Sequence, residues 1–102
     1  MNDEIRILKQ EVINFLSEKK ICDMKFFPSD KAGWTTVASI QKGLGIDKKA
    51  CAITGILLRL SQEGFVETIK TIDMECKERR YYRISDDIVI EKNFSLRKKE
   101  LC

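Results

Sequence analysis

Four cysteines and no histidine limit the chemistry that this 102-residue chain can perform. Cys22, Cys51, Cys76 and Cys102 lack the close pairs that zinc and iron–sulfur sites normally use. The sequence also has no glycine-rich phosphate loop with a lysine and no recognisable pair of catalytic carboxylates. We therefore predict no catalytic residues, no metal and no cofactor. The cysteines are expected to be buried thiols, with disulfides or redox switches as the alternatives.

The distribution of charge favours contact with nucleic acid. The formal net charge is +3. All of this surplus lies between residues 35 and 85, because the segments on either side carry equal numbers of acidic and basic side chains. Lysine and arginine in such a region can bind phosphate. The alternative is that so small a surplus belongs to an ordinary solvated face.

Residues 35–64 have the pattern of two helices joined by a tight turn. Thr35 or Thr36 can cap the first helix and Asp47 the second, because a side-chain oxygen accepts hydrogen bonds from the unpaired N–H groups of a first turn. Gly64 is placed to end the second helix. The turn between them is predicted at residues 43–47, where two glycines allow a sharp change of direction.

The second of these helices is amphipathic. Helical spacing places on its inward face Ala50, Ile53, Ile56, Leu57 and Leu60. The opposite face is mostly small and includes Gly55, and a glycine inside a helix costs ~1 kcal/mol relative to alanine. Such a face suits a helix that lies close to DNA or close to another protein.

Residues 65–85 predict a β-hairpin, with β-branched and aromatic residues in both halves and a polar tip at residues 73–78. Acidic side chains are interleaved with the basic residues Lys70, Lys77, Arg79, Arg80 and Arg83. Ion pairs within the hairpin are one interpretation. Exposed pairs contribute only ~0–1 kcal/mol. Arg79 and Arg80 can therefore exchange a carboxylate for a phosphate, which is the interpretation we favour.

In their order along the chain, these features resemble the winged helix-turn-helix transcriptional regulators of the MarR and PadR type. The resemblance covers roughly half of the chain and includes the apolar spacing of both helices, the Glu-Gly-Phe-Val of residues 63–66 and the charged run at residues 79–84. It implies an α+β fold with a three-helix core and a C-terminal β-hairpin wing, followed by a C-terminal extension. It also implies that the second motif helix enters a DNA major groove while the wing contacts phosphate or minor groove beside it.

The resemblance assigns DNA contact to these two elements. The candidate DNA-binding residues are Lys48, Lys49, Ala52, Thr54, Gly55, Arg59, Lys77, Arg79 and Arg80. Helices that read base edges usually present Arg, Asn, Gln or Lys, and few of those are present here, which limits the expected sequence specificity. The predicted function is double-stranded DNA binding by a transcriptional regulator that acts as a homodimer. The alternative is a winged helix that serves as a protein-interaction module in a larger assembly.

The first 20 residues predict a scaffold helix. Apolar residues recur at helical spacing at Ile5, Leu8, Val12, Phe15 and Leu16. In the resembling families such a helix packs behind the motif and often shares in dimerisation. Completion of a monomeric core is the alternative.

Residues 21–34 predict a loop, because Pro28 and Gly33 interrupt any regular element. We expect this loop to carry Phe26 and Phe27 back onto the core. Trp34 is expected to lead into a short extended piece that pairs with the hairpin. Its ring should cover the edge of the core, with base stacking as the alternative.

Residues 86–102 have conflicting signals. Ser85 or Asp86 can cap a helix whose apolar residues include Ile90, Phe94 and Leu101, although the β-branched residues at 88–90 have strand propensity. We favour a helix that packs against a second subunit. The basic run at residues 97–99 can reach DNA or remain solvated.

The chain as a whole predicts a single domain, with 43% hydrophobic residues available for its core. Its parts are residues 1–20, 35–64, 65–85 and 86–102. No apolar run approaches the ~20 residues of a membrane helix, and the acidic start is unlike a signal peptide. We therefore predict a cytoplasmic protein with no membrane partner, and the sequence names no small-molecule effector.

Overall fold

The computed structural model describes residues 3–28, 31–45 and 49–98, which form an α+β fold of three helices followed by antiparallel hairpins. The helices are α1 (Asp3–Asp23), α2 (Val37–Leu44) and α3 (Ala50–Gln62). The strands are β1 (Val66–Ile72), β2 (Glu78–Ile84), β3 (Ile88–Ile90) and β4 (Leu96–Lys98). β1 pairs with β2, and β3 pairs with β4. Three helices followed by a two-stranded hairpin are compatible with a winged-helix layout.

One apolar cluster joins the three helices to the base of the first hairpin. Its fully buried members include Leu16 of α1, Ile40 of α2, Leu57 of α3 and Ile84 of β2. The predicted inward face of α3 is confirmed at its other three isoleucine and leucine positions, which are also buried. Ala50 is exposed, contrary to the prediction, because it is the first residue of the helix.

Two predicted helix ends are confirmed by their hydrogen bonds. The Thr36 hydroxyl accepts from the backbone N–H of Ser39 at 3.2 Å and caps α2. Gly64 adopts φ +87° after α3, and its N–H donates to the Ser61 carbonyl at 3.1 Å. The next N–H, of Phe65, donates to the Leu60 carbonyl at 3.0 Å. This pair of bonds is a Schellman motif, which satisfies the last carbonyls of the helix.

The turn between α2 and α3 differs from its prediction. Gly43 lies inside α2, and the helix ends at Gly45, whose φ is 127°. A Cβ at Gly43 would overlap the ring of Phe15 and lie 2.9 Å from its Cδ2 atom, so this glycine lets α1 and α2 approach each other. The proposed cap Asp47 lies outside the described residues. α3 begins at Ala50 after Lys49, whose side chain makes no capping hydrogen bond.

The loop after α1 does not return its phenylalanines to the core. Phe26 is 80% exposed and Phe27 is 55% exposed. Both backbone N–H groups bind the carbonyl of Asp23 in a tight turn, so the chain reverses at the surface. The prediction that these rings cover the core is therefore wrong.

The first hairpin has a regular register in which Val66 lies opposite Ile84 and Ile72 opposite Glu78. Thr35 forms an isolated antiparallel bridge to the outer side of β2. It exchanges two backbone hydrogen bonds with Tyr82, at 2.9 and 2.8 Å. The predicted extended piece after Trp34 is thus confirmed, and it aligns α2 beside the hairpin.

The segment after Asp86 is a second hairpin, so the predicted C-terminal helix is wrong within the described residues. The β-branched residues of β3 favour extended backbone, as their strand propensity suggested. A turn reverses the chain between Glu91 and Ser95, with the Glu91 N–H bound to the Ser95 carbonyl at 2.9 Å. Phe94 adopts φ +60° within this turn. The predicted apolar position Leu101 lies outside the described residues.

Candidate nucleic-acid interface

The outer face of α3 carries several of the predicted site residues at the surface. Thr54, Gly55 and Arg59 are exposed, and Lys49 is exposed at the start of the helix. The Thr54 hydroxyl donates to the Ala50 carbonyl at 3.0 Å, so its donor is used within the helix. An added Cβ at Gly55 would have no described atom within 4 Å. Gly55 therefore has no packing role among the described residues.

Ala52 lies at the edge of this face rather than on it. It is half-buried and lines a groove of about 490 Å³ between the starts of α1 and α3, together with Lys49. The α1 side of the groove contributes Ile5 and Leu8. Lys48, the remaining predicted residue of this region, lies outside the described residues. Helical spacing still places Ala52 close to Arg59, and Thr54 lies on the other margin of the outer face.

The tip of the first hairpin is organised by one aspartate. Both backbone N–H groups of Glu75 and Lys77 donate to the same carboxylate oxygen of Asp73, each at 2.9 Å. The hydrogen bond from Lys77 is the main cause that lowers the pKa of Asp73, and the Arg79 guanidinium adds to it. Cys76 takes φ +61° to close the turn. The tip is therefore a defined turn that places Lys77 and Arg79 at the two sides of Asp73.

Most basic side chains of this hairpin have carboxylate partners, as the ion-pair interpretation predicted. Lys70 binds Glu78 at 2.9 Å and thereby lowers the pKa of Glu78. Arg79 binds Asp73 at 3.3 Å, and Lys77 lies 3.6 Å from Glu75. Arg80 has no ion pair with any described residue. All of these pairs are exposed, so each costs little to exchange for another anion.

Arg79 and Arg80 line a groove of about 350 Å³ between β2 and the start of α2. Thr36, Val37 and Ala38 form the α2 side of this groove. The first N–H groups of a helix have no partner within the helix and carry the positive end of its dipole. The groove therefore has two arginines and the start of a helix among its lining residues, an arrangement that favours anions.

Arg83, the last basic residue of the hairpin, is buried and unavailable to a ligand. Its guanidinium binds Glu67 at 2.7 Å and Asp86 at 3.1 Å, and it lies 5.1 Å from the centre of the Trp34 ring. The Lys20 ammonium, also buried, binds Asp86 at 3.2 Å and the carbonyls of residues 84 and 85 at 2.9 and 3.0 Å. We call Lys20, Glu67, Arg83 and Asp86 the ionic cluster. It fastens the base of the hairpin to the end of α1.

Burial and pairing act in opposite directions on the ionic cluster. Burial lowers the pKa of the Lys20 ammonium, and its hydrogen bond to Asp86 opposes this effect only in part. Burial alone would raise the pKa of Asp86, but the hydrogen bonds from Arg83 and Lys20 outweigh it, so that pKa lies below its usual value. The cluster is not predicted from the sequence, because Lys20 and Glu67 are far along the chain from the neighbouring pair Arg83 and Asp86. The uncommon feature that could have indicated it is an arginine within the apolar end of β2.

The cysteines differ from their prediction. Cys22, Cys51 and Cys76 are exposed free thiols, and Cys102 lies outside the described residues. Within residues 3–28, 31–45 and 49–98, no group of three metal-ligating side chains is placed to hold an ion. Of the helices in the same part of the chain, none combines the length and apolar character needed to cross a membrane.

Comparison with known proteins assigns no relative. No protein-family description matches the chain, and no curated protein matches it. The function is therefore argued from the placement of the residues described above.

Proposed function

We propose that this chain is a winged-helix protein that binds double-stranded DNA and regulates transcription as a homodimer. The proposal assigns α3 to the major groove and the first hairpin to the adjacent backbone. It assigns no catalytic residue, metal or cofactor to the chain.

The observation that carries the proposal is the groove that Arg79 and Arg80 of β2 line together with the start of α2. A phosphate in this groove would meet the start of α2 and Arg80, which has no ion pair with any described residue. Arg79 is held beside it by Asp73, an exposed pair that a phosphate can replace. The ionic cluster fixes the hairpin relative to α1, so the groove is formed before any ligand binds.

The outer face of α3 supports the same proposal. Gly55 is exposed with open space around it, although a glycine there costs ~1 kcal/mol of helix stability relative to alanine. A ligand that approaches the helix backbone closely would explain why a glycine is present despite this loss of helix stability. Thr54 and Arg59 flank Gly55 and can reach base edges or phosphates.

The experiment is a titration of duplex DNA at several salt concentrations, with Arg80→Ala against the parent chain. Loss of one phosphate contact should weaken binding to all duplexes about equally and lower the log–log salt slope by ~1 per subunit. Arg6→Ala is the matched control, because Arg6 is an exposed arginine of α1 away from the groove. It should leave the slope within ~0.3 of the parent value. Failure to retain any duplex at low salt would refute DNA binding.

The second candidate function is a protein-interaction module, and the exposure of Leu58 favours it. This leucine is 56% exposed on the same side of α3 as Gly55 and Cys51. Gly55→Leu separates the candidates. It should abolish duplex binding if α3 enters a groove in DNA, whereas unchanged duplex binding by both Gly55→Leu and Arg80→Ala would favour the protein-interaction role.

A further inference from the structure

Strand β1 is an open edge of the first hairpin. It pairs with β2 on one side, and no other described strand pairs with it. Thr68, Lys70 and Ile72 are exposed along its length. A strand of seven residues with a free edge is a template on which another strand can pair.

The backbone groups that point to this open edge follow from the hydrogen bonds of β2. Tyr82 directs its N–H and carbonyl outward to Thr35. Thr68 lies opposite Tyr82, so its own N–H and carbonyl point away from β2. The alternation of an antiparallel pair gives the same direction to Lys70 and Ile72. The edge therefore presents a regular series of donors and acceptors that have no partners among the described residues.

The side chains beside this edge are unusually apolar for an exposed strand. Ile69 is 42% exposed and Ile72 is 68% exposed. Met74, at the adjacent tip, is fully exposed. Lysine on an edge commonly blocks pairing through its charge. Here Glu78 neutralises Lys70 at 2.9 Å, so that block is weakened.

We propose that β1 pairs with β1 of a second copy, in antiparallel register about Ile69. In this register Thr68 faces the partner's Lys70, Glu67 faces the partner's Thr71, and Ile69 faces its own counterpart. No like charges meet, and the outward backbone groups of the two strands coincide. A register with its two-fold axis at Lys70 would instead place the two Lys70 ammonium groups opposite each other. A register with its axis at Thr68 would place the charged Glu67 opposite the partner's Ile69.

This inference names the surface that forms the proposed homodimer, and it differs from the interface predicted from sequence. That prediction used α1 and a C-terminal helix. The C-terminal segment is instead a hairpin, and its Ile88 is buried while Ile90 and Leu96 pack against the chain's own core. Ile90, one of the apolar groups expected to meet a second subunit, is thus used within one copy, whereas Ile5 of α1 is exposed.

The first test is sedimentation of Thr68→Pro, with Thr68→Ala as its control, in the absence of DNA. Proline removes an N–H that points outward, so the bonds between β1 and β2 remain. The symmetric dimer would lose two hydrogen bonds, and its Kd should rise by about tenfold. The alanine variant keeps the N–H and should dimerise within about threefold of the parent.

The second test is oxidation of Ile69→Cys, followed by mass-spectrometric mapping of the linked peptides. Opposed residues of this kind lie with Cα atoms about 4.5 Å apart, within the range that a disulfide spans. Position 69 should therefore link to itself. The control Thr71→Cys faces the partner's Glu67 and should give no link of position 71 to itself. Peptide mapping separates these links from those of the three exposed native cysteines.

The outcomes distinguish this interface from the rest of the proposal. A dimer weakened by proline, together with a link at position 69, supports pairing through β1. A dimer that proline leaves intact, with no such link, overturns the β1 interface but not dimerisation. A chain that stays monomeric at every concentration overturns both the β1 interface and dimerisation. DNA binding is then decided separately, by the duplex titration. If Thr68→Pro fails to fold, the presence or absence of the link at position 69 decides.

Discussion

Gly55→Ala is expected to make the isolated chain more stable. Gly55 lies inside α3, is exposed, and has no described atom within 4 Å of the position that a Cβ would occupy. The substitution therefore adds no contact and removes none. Alanine stabilises a helix interior by ~1 kcal/mol relative to glycine. For a domain of this size, that gain corresponds to a rise of about 4–8 °C in Tm.

The matched control is Gly43→Ala in α2, where the same helix-propensity gain meets a different environment. A Cβ at Gly43 would overlap the Phe15 ring, so the ring or α1 must move. Overpacking of this kind costs ~1–3 kcal/mol. The free energy of unfolding should therefore fall by ~0–2 kcal/mol once the propensity gain is subtracted.

Urea unfolding of both variants and the parent, without DNA, measures the two changes on one scale. The expected difference between the variants is ~1–3 kcal/mol in favour of Gly55→Ala. A loss of stability in Gly55→Ala would refute the reasoning, because it would require the outer face of α3 to be packed in the free protein. Equal effects at both sites would show that Phe15 moves aside without cost.

Two further perturbations address the cap of α2 and the ionic cluster. Thr36→Ala should lower the free energy of unfolding by ~1 kcal/mol through loss of the bond to the Ser39 N–H, and thermal unfolding would check it against the control Thr54→Ala, which lies inside a helix and should gain ~0.5 kcal/mol. Asp86→Asn should cost ~2 kcal/mol at pH 7, because it leaves the charges of Lys20 and Arg83 with a weaker partner, and Asp87→Asn should cost little. The lowered pKa of Asp86 means that its contribution is complete above about pH 4 and disappears as the pH falls through the folded-state pKa. Unfolding at pH 7 and pH 3 should thus show the gap between parent and Asp86→Asn narrowing in acid; a constant gap would contradict the assignment.

The features that sequence predicted well depend on local chemistry. Thr36 and Gly64 are the cap residues that a helix start and a helix end require, and the inward face of α3 follows from spacing alone. Thr35 pairs with the hairpin as expected from its extended position between Trp34 and the cap of α2. These predictions needed no knowledge of distant neighbours.

The features that sequence missed depend on contacts between distant residues. Gly43 is predicted as a turn residue. It lies inside α2 instead, where the Phe15 ring of α1 leaves no room for a Cβ. Asp86 was predicted as a helix cap, whereas it binds Lys20 and Arg83, and the strand propensity after it prevails. Phe26 and Phe27 are predicted on the core, whereas a turn closed by the Asp23 carbonyl leaves both rings at the surface. The exposure of Thr54, Gly55 and Arg59 on α3 follows from sequence, but the groove that Ala52 lines with the start of α1 does not.

The hydrogen bonds of Lys20 also determine an order of events during synthesis. Its ammonium group donates hydrogen bonds to the carbonyls of Ile84 and Ser85, which are 64 and 65 residues further along the chain. Until the ribosome has added those residues, the end of α1 carries a charge that has to remain in water. Helix α1 can therefore form early in the nascent chain, but it packs in its final position only after the second strand of the hairpin has been synthesised. Protease protection of nascent chains would follow that step directly.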